Sequence, residues 1–156
     1  MELSNRKAYY EYHFEDKYIA GMVLSGTEIK SIRAGKVSFN DSYCIFDKAE
    51  LYVKSLHIAE YNFGNINNHI PMQERKLLLR KRELKKLENK IKEKGYTIIP
   101  LKIFITEKGF AKIEIGLGKG KKSLIKERLL RHGKRTEMLR ENMDYKFSIH
   151  LNSAEH

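Results

Sequence analysis

The sequence predicts a mainly β protein, built as a small antiparallel barrel with flanking α-helices and a basic C-terminal tail. Three observations predict it. Apolar and polar residues alternate in six short runs, and the runs fall in three pairs around turn residues. Segments of helical period lie between the pairs, without the strand-helix-strand rhythm of a parallel sheet. At 156 residues and 41% apolar composition the chain suits one domain with one core.

The first pair begins where Tyr10, Tyr12 and Phe14 alternate with Glu11, His13 and Glu15, and Asp16-Lys17 is expected to turn the chain into a second run over residues 18–24. A short helix follows. Ser25 and Glu28 form a capping box, Ile29 and Ile32 are expected to share the buried face, and Gly35 takes the left-handed turn that stops it. Lys30, Arg33 and Lys36 then point outward, a row that suits contact with phosphate but, taken alone, reads first as a solvated helix face. Residues 42–46 and 50–58 pair around Asp47-Lys48-Ala49. The inward residues change phase from Leu51 and Val53 to Leu56 and Ile58, so a bulge near Lys54-Ser55 is expected. Residues 62–71, rich in Asn and Gly, form a loop. Over residues 80–94 the period is helical, with Leu84, Leu87 and Ile91 buried and Gly95 closing the helix. Residues 97–105 and 110–117 pair around Glu107-Lys108-Gly109, and Pro100 should mark an edge or a break in the ladder. Three hairpins with interspersed helices argue for an OB-type barrel over residues 1–118. Residues 119–156 form the basic tail, expected to be mobile without its partner.

A formal charge of +11 points to a polyanionic partner, nucleic acid before membrane. The excess is concentrated: residues 75–94 carry ten Lys and Arg against three acids, and residues 119–140 carry nine against two. No apolar run approaches the roughly 20 residues of a spanning helix and the N-terminus lacks a signal-peptide core, so a cytoplasmic location is expected. The single cysteine, Cys44, excludes an intrachain disulfide and a Cys-rich metal site, and reads as a small core residue. His13, His57 and His69 have no metal-ligand spacing, and no nucleophile or zinc-protease motif occurs. No cofactor, metal or catalytic residue is therefore expected. The run from Gly116 to Gly120 only partly matches a phosphate loop.

Six motifs occur in order: Asn5-Arg6-Lys7-Ala8; Gly26-Thr27-Glu28-Ile29-Lys30-Ser31 with Arg33-Ala34-Gly35; Asp41-Ser42-Tyr43; Arg75-Lys76-Leu77-Leu78-Leu79 with Lys81-Arg82-Glu83-Leu84; Pro100-Leu101; and Lys119-Gly120-Lys121-Lys122. Together they closely resemble the SsrA-binding protein family. That resemblance implies an OB-type barrel without catalytic activity, which binds the tRNA-like domain of transfer-messenger RNA (tmRNA) and delivers it to stalled ribosomes for trans-translation. The body would replace the missing anticodon-side half of a tRNA, and the tail would occupy the decoding region and message channel. By matching positions, Asn5, Arg6, Lys7, Glu28, Lys30, Ser31, Arg33, Lys119, Gly120, Lys121 and Lys122 are the expected RNA-contacting residues, joined by outward Lys36 and by Arg75 and Lys76. Glu28 has two readings, RNA contact and helix capping. The alternative to an adaptor, an RNA-processing enzyme on a barrel platform, requires groups such as His13, His57 and Glu28 to converge in a cleft. The tail departs from the family: Ile125 stands where relatives carry the aspartate of an Asp-Lys-Arg element.

Overall fold

Alternating side chains produce a seven-stranded antiparallel sheet. The structure, a computed structural model that describes residues 2–62 and 67–121, closes that sheet into a ring. In chain order the elements are β1 (Glu2–Ser4), α1 (Arg6–Glu11), β2 (Tyr12–Met22), α2 (Gly26–Arg33), β3 (Val37–Ser38), β4 (Tyr43–Asp47), β5 (Glu50–Lys54), β6 (His57–Ile58), β7 (Arg75–Leu78), α3 (Lys81–Ile91), β8 (Tyr96–Ile105) and β9 (Ala111–Gly120). The ring runs β8-β4-β5-β7-β2-β9 and returns to β8. One edge of β8 lies along β9, and its other edge is shared by β4 at Ile98 and by β1 at residues 102–104. The separate pair β3–β6 forms a small ribbon. The mainly β, helix-flanked barrel expected from the sequence is present.

Two bulges decide which residues face the core. Between Phe14 and Asp16 the β2–β9 register skips a residue, so one parity faces opposite sides before and after Glu15. Tyr12 and Phe14 therefore pack outside the barrel with Ala8, Ile99 and Leu101, while Tyr18 and Ala20 pack within it. The same skip occurs between Pro100 and Lys102, which places Ile98 and Ile103 in the main core and Ile99 and Leu101 in the outer cluster. The ladder break expected at Pro100 is this bulge. Gly116 and Gly118 make the layered packing possible: a Cβ on Gly116 would stand 2.6 Å from the Phe14 ring and 2.9 Å from Leu101, and one on Gly118 would stand 2.3 Å from the His13 carbonyl oxygen. The segment that partly matches a phosphate loop is thus a strand whose glycines admit close neighbours.

The first hairpin is not formed. Residues 6–11 are helical, and β2 continues through Asp16-Lys17 as one strand. Tertiary anchoring overrides the alternation: the Asn5 backbone N–H donates to the Leu101 carbonyl at 2.8 Å, its side-chain amide donates to the Pro100 carbonyl at 2.8 Å, and Ala8 is buried behind them. The third side of the ring comes from β7, which the sequence pattern hides because its inward residues are Leu77 and a buried arginine, Arg75. At residues 54–55 the structure has a sharper device than a bulge. Ser55 has φ +61°, and the chain leaves the barrel wall to form β6 while Leu51, Val53, Leu56 and Ile58 all remain fully buried. The β4–β5 turn uses left-handed Lys48 and Ala49, as a two-residue hairpin demands. Ile32 of α2, and Leu87 and Ile91 of α3, enter the main core. β9 continues to Gly120, so Lys119 and Gly120 are ladder residues opposite His13 and Tyr12, two positions past the boundary expected at 118.

Candidate nucleic-acid interface

Helix α2 is fixed to the barrel by polar groups. Ser25 caps it reciprocally: the Ser25 N–H donates to Glu28 Oε1 at 3.0 Å, and the Glu28 N–H donates to Ser25 Oγ at 3.4 Å. The other Glu28 oxygen accepts from Arg75 Nε. Arg75 then donates to the carbonyls of Leu56 at 2.6 Å, Pro71 at 2.9 Å and Ile70 at 3.2 Å. Burial pushes the Glu28 carboxyl up. The Ser25 N–H, the Arg75 guanidinium and the Gln73 side chain more than offset that and hold it below its ordinary value. A second tie runs through His69, whose Nε2 donates to the Ile58 carbonyl at 2.8 Å, leaving Nδ1 to accept from the Thr27 hydroxyl at 2.9 Å. The buried face of α2 is Glu28, Ser31 and Ile32; Ile29, expected inside, is only half-buried. The ion pair takes the room that an apolar stripe would fill.

The expected site residues divide by burial. Glu28 and Arg75 are each 2% exposed, Ser31 is fully enclosed, and Asn5 is 7% exposed and engaged with β8. These four lie beneath the surface. Arg6, Lys7, Lys30, Arg33, Lys36 and Lys119 are exposed, whereas Lys76, Gly120 and Lys121 are half-buried. Lys122 and the rest of the tail, Ile125 included, lie outside the described residues.

Local contacts link several of the exposed residues to neighbouring elements. Asn5 holds the start of α1 against β8, so Arg6 and Lys7 line an open cleft of about 510 Å³ with Ser4 and residues 37–41. Lys7 lies 3.7 Å from exposed Asp41 and 3.5 Å from half-buried Glu11, in weak ion pairs. The C-terminal end of α2 adjoins this cleft, since Leu3 comes within 4.0 Å of the Cβ position of Gly35. Helix α1 spans roughly 9 Å. At its far end the Lys121 N–H donates to the Glu11 carbonyl at 2.9 Å. Lys119 Nζ sits 4.6 Å from the centre of the Tyr96 ring. The Tyr96 hydroxyl in turn donates to Glu15, which pushes the phenol up to about 12 and draws the Glu15 carboxyl down, and so fixes the ring beneath Lys119.

Three other residues have separate surroundings. Lys30 projects from the exposed row of α2 to 5.3 Å from the Tyr61 ring. Lys76 lies across the ring of strands from β8 and pairs with Glu50 at 2.9 Å. Tyr10, 78% exposed, falls outside the residues that the sequence motifs mark for RNA. It shares a face of α1 with Arg6 at i,i+4 spacing, the signal by which a basic-aromatic pair could be found. The basic block over residues 75–94 is split: Arg75 is inside, while Lys81, Arg82, Lys85 and Lys86 are exposed on α3.

No convergent catalytic group is formed by the three residues named for one. His13 is exposed opposite Lys119, His57 pairs with Ser38 in the β3–β6 ribbon, and Glu28 is enclosed by Arg75. Among the described residues no three His, Cys, Asp or Glu side chains are grouped to hold a metal.

Comparison with known proteins bears on this surface. The SmpB protein family model matches residues 2–145. An SsrA-binding protein of Phocaeicola vulgatus is 53% identical over 131 residues, 84% of this chain and 87% of its own length. One from Cytophaga hutchinsonii is 55% identical over 122 residues, 78% of this chain and 80% of its own. A chain from a solved structure described as "tmRNA-SmpB: a journey to the center of the bacterial ribosome" superposes with a TM-score of 0.68 at 44% identity, covering 90% of this chain and 92% of that one. With its ring of strands, its ordered motifs and these matches, the chain belongs to the SmpB family.

Proposed function

We infer that the chain is an RNA-binding adaptor of trans-translation, which binds the tRNA-like domain of tmRNA and delivers it to stalled ribosomes. The observation that carries this reading is family membership over nearly the whole described chain, together with exposed cations carried on α1, α2 and β9. Arg6, Lys7, Arg33, Lys36, Lys119 and Lys121 contact the RNA backbone. Asn5, Glu28 and Arg75 act beneath them by fixing α1 and α2, with Ser31 enclosed under α2; of the two readings of Glu28, its bonds to Ser25 and Arg75 support the helix. Phosphate contacts of this kind supply affinity and register, while the shape of the RNA supplies selectivity.

Catalysis is not part of this reading: Glu28, the buried carboxylate of α2, is committed to capping and to Arg75. The adaptor works in the cytoplasm, where ribosomes stall; among the described residues no helix is long and apolar enough to cross a membrane. The barrel binds RNA and the basic tail beyond it reaches the decoding region and message channel. Affinity capture of the chain from cells, followed by sequencing of all bound RNA without selection, tests this. tmRNA is expected to dominate, and capture of another RNA without enrichment of tmRNA would overturn the assignment.

A further inference from the structure

The β8–β9 turn presents an aromatic ring that none of the ordered motifs includes. Phe110 is 63% exposed. Its backbone is held firmly: the Thr106 N–H donates to the Phe110 carbonyl at 2.8 Å, the Phe110 N–H donates to Thr106 Oγ1 at 3.0 Å, and the Gly109 N–H donates to the Thr106 carbonyl at 2.9 Å. Scattered exposed apolar residues are common, so exposure alone decides nothing. Like the ring of Tyr10, this one is free to take a partner. Tyr9 and Tyr96 each lie within cation–π distance of a lysine, but among the described residues no ring and no cation lies against Phe110.

Arg33 reaches the same turn from α2. A Cβ on Gly109 would stand 3.0 Å from Arg33 Nη2, and Gly109 has φ +87°, so a glycine here serves both the turn and the approach of the guanidinium. Arg33 is exposed and has no carboxylate within ion-pair distance among the described residues, and Lys108 is exposed beside it. An open aromatic ring on a hydrogen-bonded turn, with a guanidinium without a carboxylate partner reaching the adjacent Gly109, is an arrangement that can take an unpaired base on the ring and its phosphate on the cation. Ordinary duplex offers no free base face, so the ligand is a nucleotide in a loop or bulge.

We propose that Phe110, with Arg33 beside it, is a stacking site for an unpaired base of the bound RNA. The site rests on the reading of the chain as a binder of a tRNA-like RNA, whose folded loops supply such bases. It extends the contact surface from α2 onto the β8–β9 turn.

The test measures binding of the full chain to the tRNA-like domain of tmRNA across a salt series, for wild type, Phe110→Ala, Phe110→Leu, Phe110→Trp and Arg33→Ala. Phe110→Ala and Phe110→Leu should each weaken binding by roughly five- to a hundredfold with an unchanged salt slope, and Phe110→Trp should retain it. Arg33→Ala should weaken binding and shallow the slope by about one unit. The ring is exposed, so thermal unfolding of the Phe110 variants should match wild type. If Phe110→Ala or Phe110→Leu binds as wild type does, the stacking site is wrong while the adaptor reading stands. If wild type itself fails to bind this RNA, it is the adaptor reading that fails.

Discussion

Glu28 and Arg75 come from different elements and meet where neither touches water, so each is tolerated only because of the other. Removing one partner of a buried pair leaves the second charge uncompensated, at a cost of about 3–5 kcal/mol. Arg75→Met should therefore lower stability by that order in chemical denaturation. Glu28→Leu combined with Arg75→Met should recover much of the loss, because a well-packed apolar pair avoids the desolvation cost. Because the folded-state carboxyl of Glu28 lies below its unfolded value, its contribution is complete above the ordinary carboxylate pKa of about 4.3 and is lost as pH falls through the depressed folded value. Urea titrations from pH 7 down to pH 3 should show a shallower acid limb for Glu28→Gln than for wild type, and parallel limbs would contradict the linkage. The capping role of Glu28 is legible from its spacing to Ser25. Its partner is not, because Arg75 lies 47 residues away and reads as part of a basic block.

At the scale of elements, α2 presents its cations only because its other face is locked. Lys30→Ala with Arg33→Ala removes outward groups and leaves Glu28, Ser31 and Ile32 in place. RNA affinity should fall, the salt slope should shallow by about one unit for each phosphate no longer neutralised, and the melting temperature should hold. Strand β9 is constrained differently. Gly118→Ala would drive a methyl group into the His13 backbone, so a loss of about 1–3 kcal/mol is expected, with β2–β9 pairing disturbed near Lys119. Hydrogen exchange of the β2 and β9 amides would report it. The helices α2 and α3 and the β4–β5 and β8–β9 hairpins are legible in the sequence because caps, turn residues and period agree. Residues 10–15 mimic one continuous strand because tyrosines at alternate positions fit a strand, while the anchor that makes residues 6–11 helical is Asn5 bonded to β8, some 95 residues away. Strand β7 stays hidden because its buried arginine breaks the apolar pattern.

For the molecule as a whole, the ring of strands closes within the described residues, so binding and stability should reside in the body. A chain truncated after Lys122 should keep most of its affinity for the tRNA-like domain, and outright loss would place recognition in the tail. The ordered motifs include Arg6, Lys7, Arg33 and Lys119, which are exposed, and Lys36 directly follows one of them. They do not separate residues that reach the surface from those that hold it, because Asn5, Ser31, Glu28 and Arg75 look as polar in sequence as the cations above them. On the proposed reading a shaped surface, and not bulk charge, selects the RNA. Counterion release depends on the number of phosphates contacted, so an unrelated hairpin of equal length is the appropriate competitor. The decisive measurement is the affinity of the full chain for the tRNA-like domain of tmRNA and for that hairpin at one physiological salt concentration. A preference of at least about tenfold for the tRNA-like domain is expected, corresponding to roughly 1.4 kcal/mol, and equal affinity for the two RNAs would contradict the account.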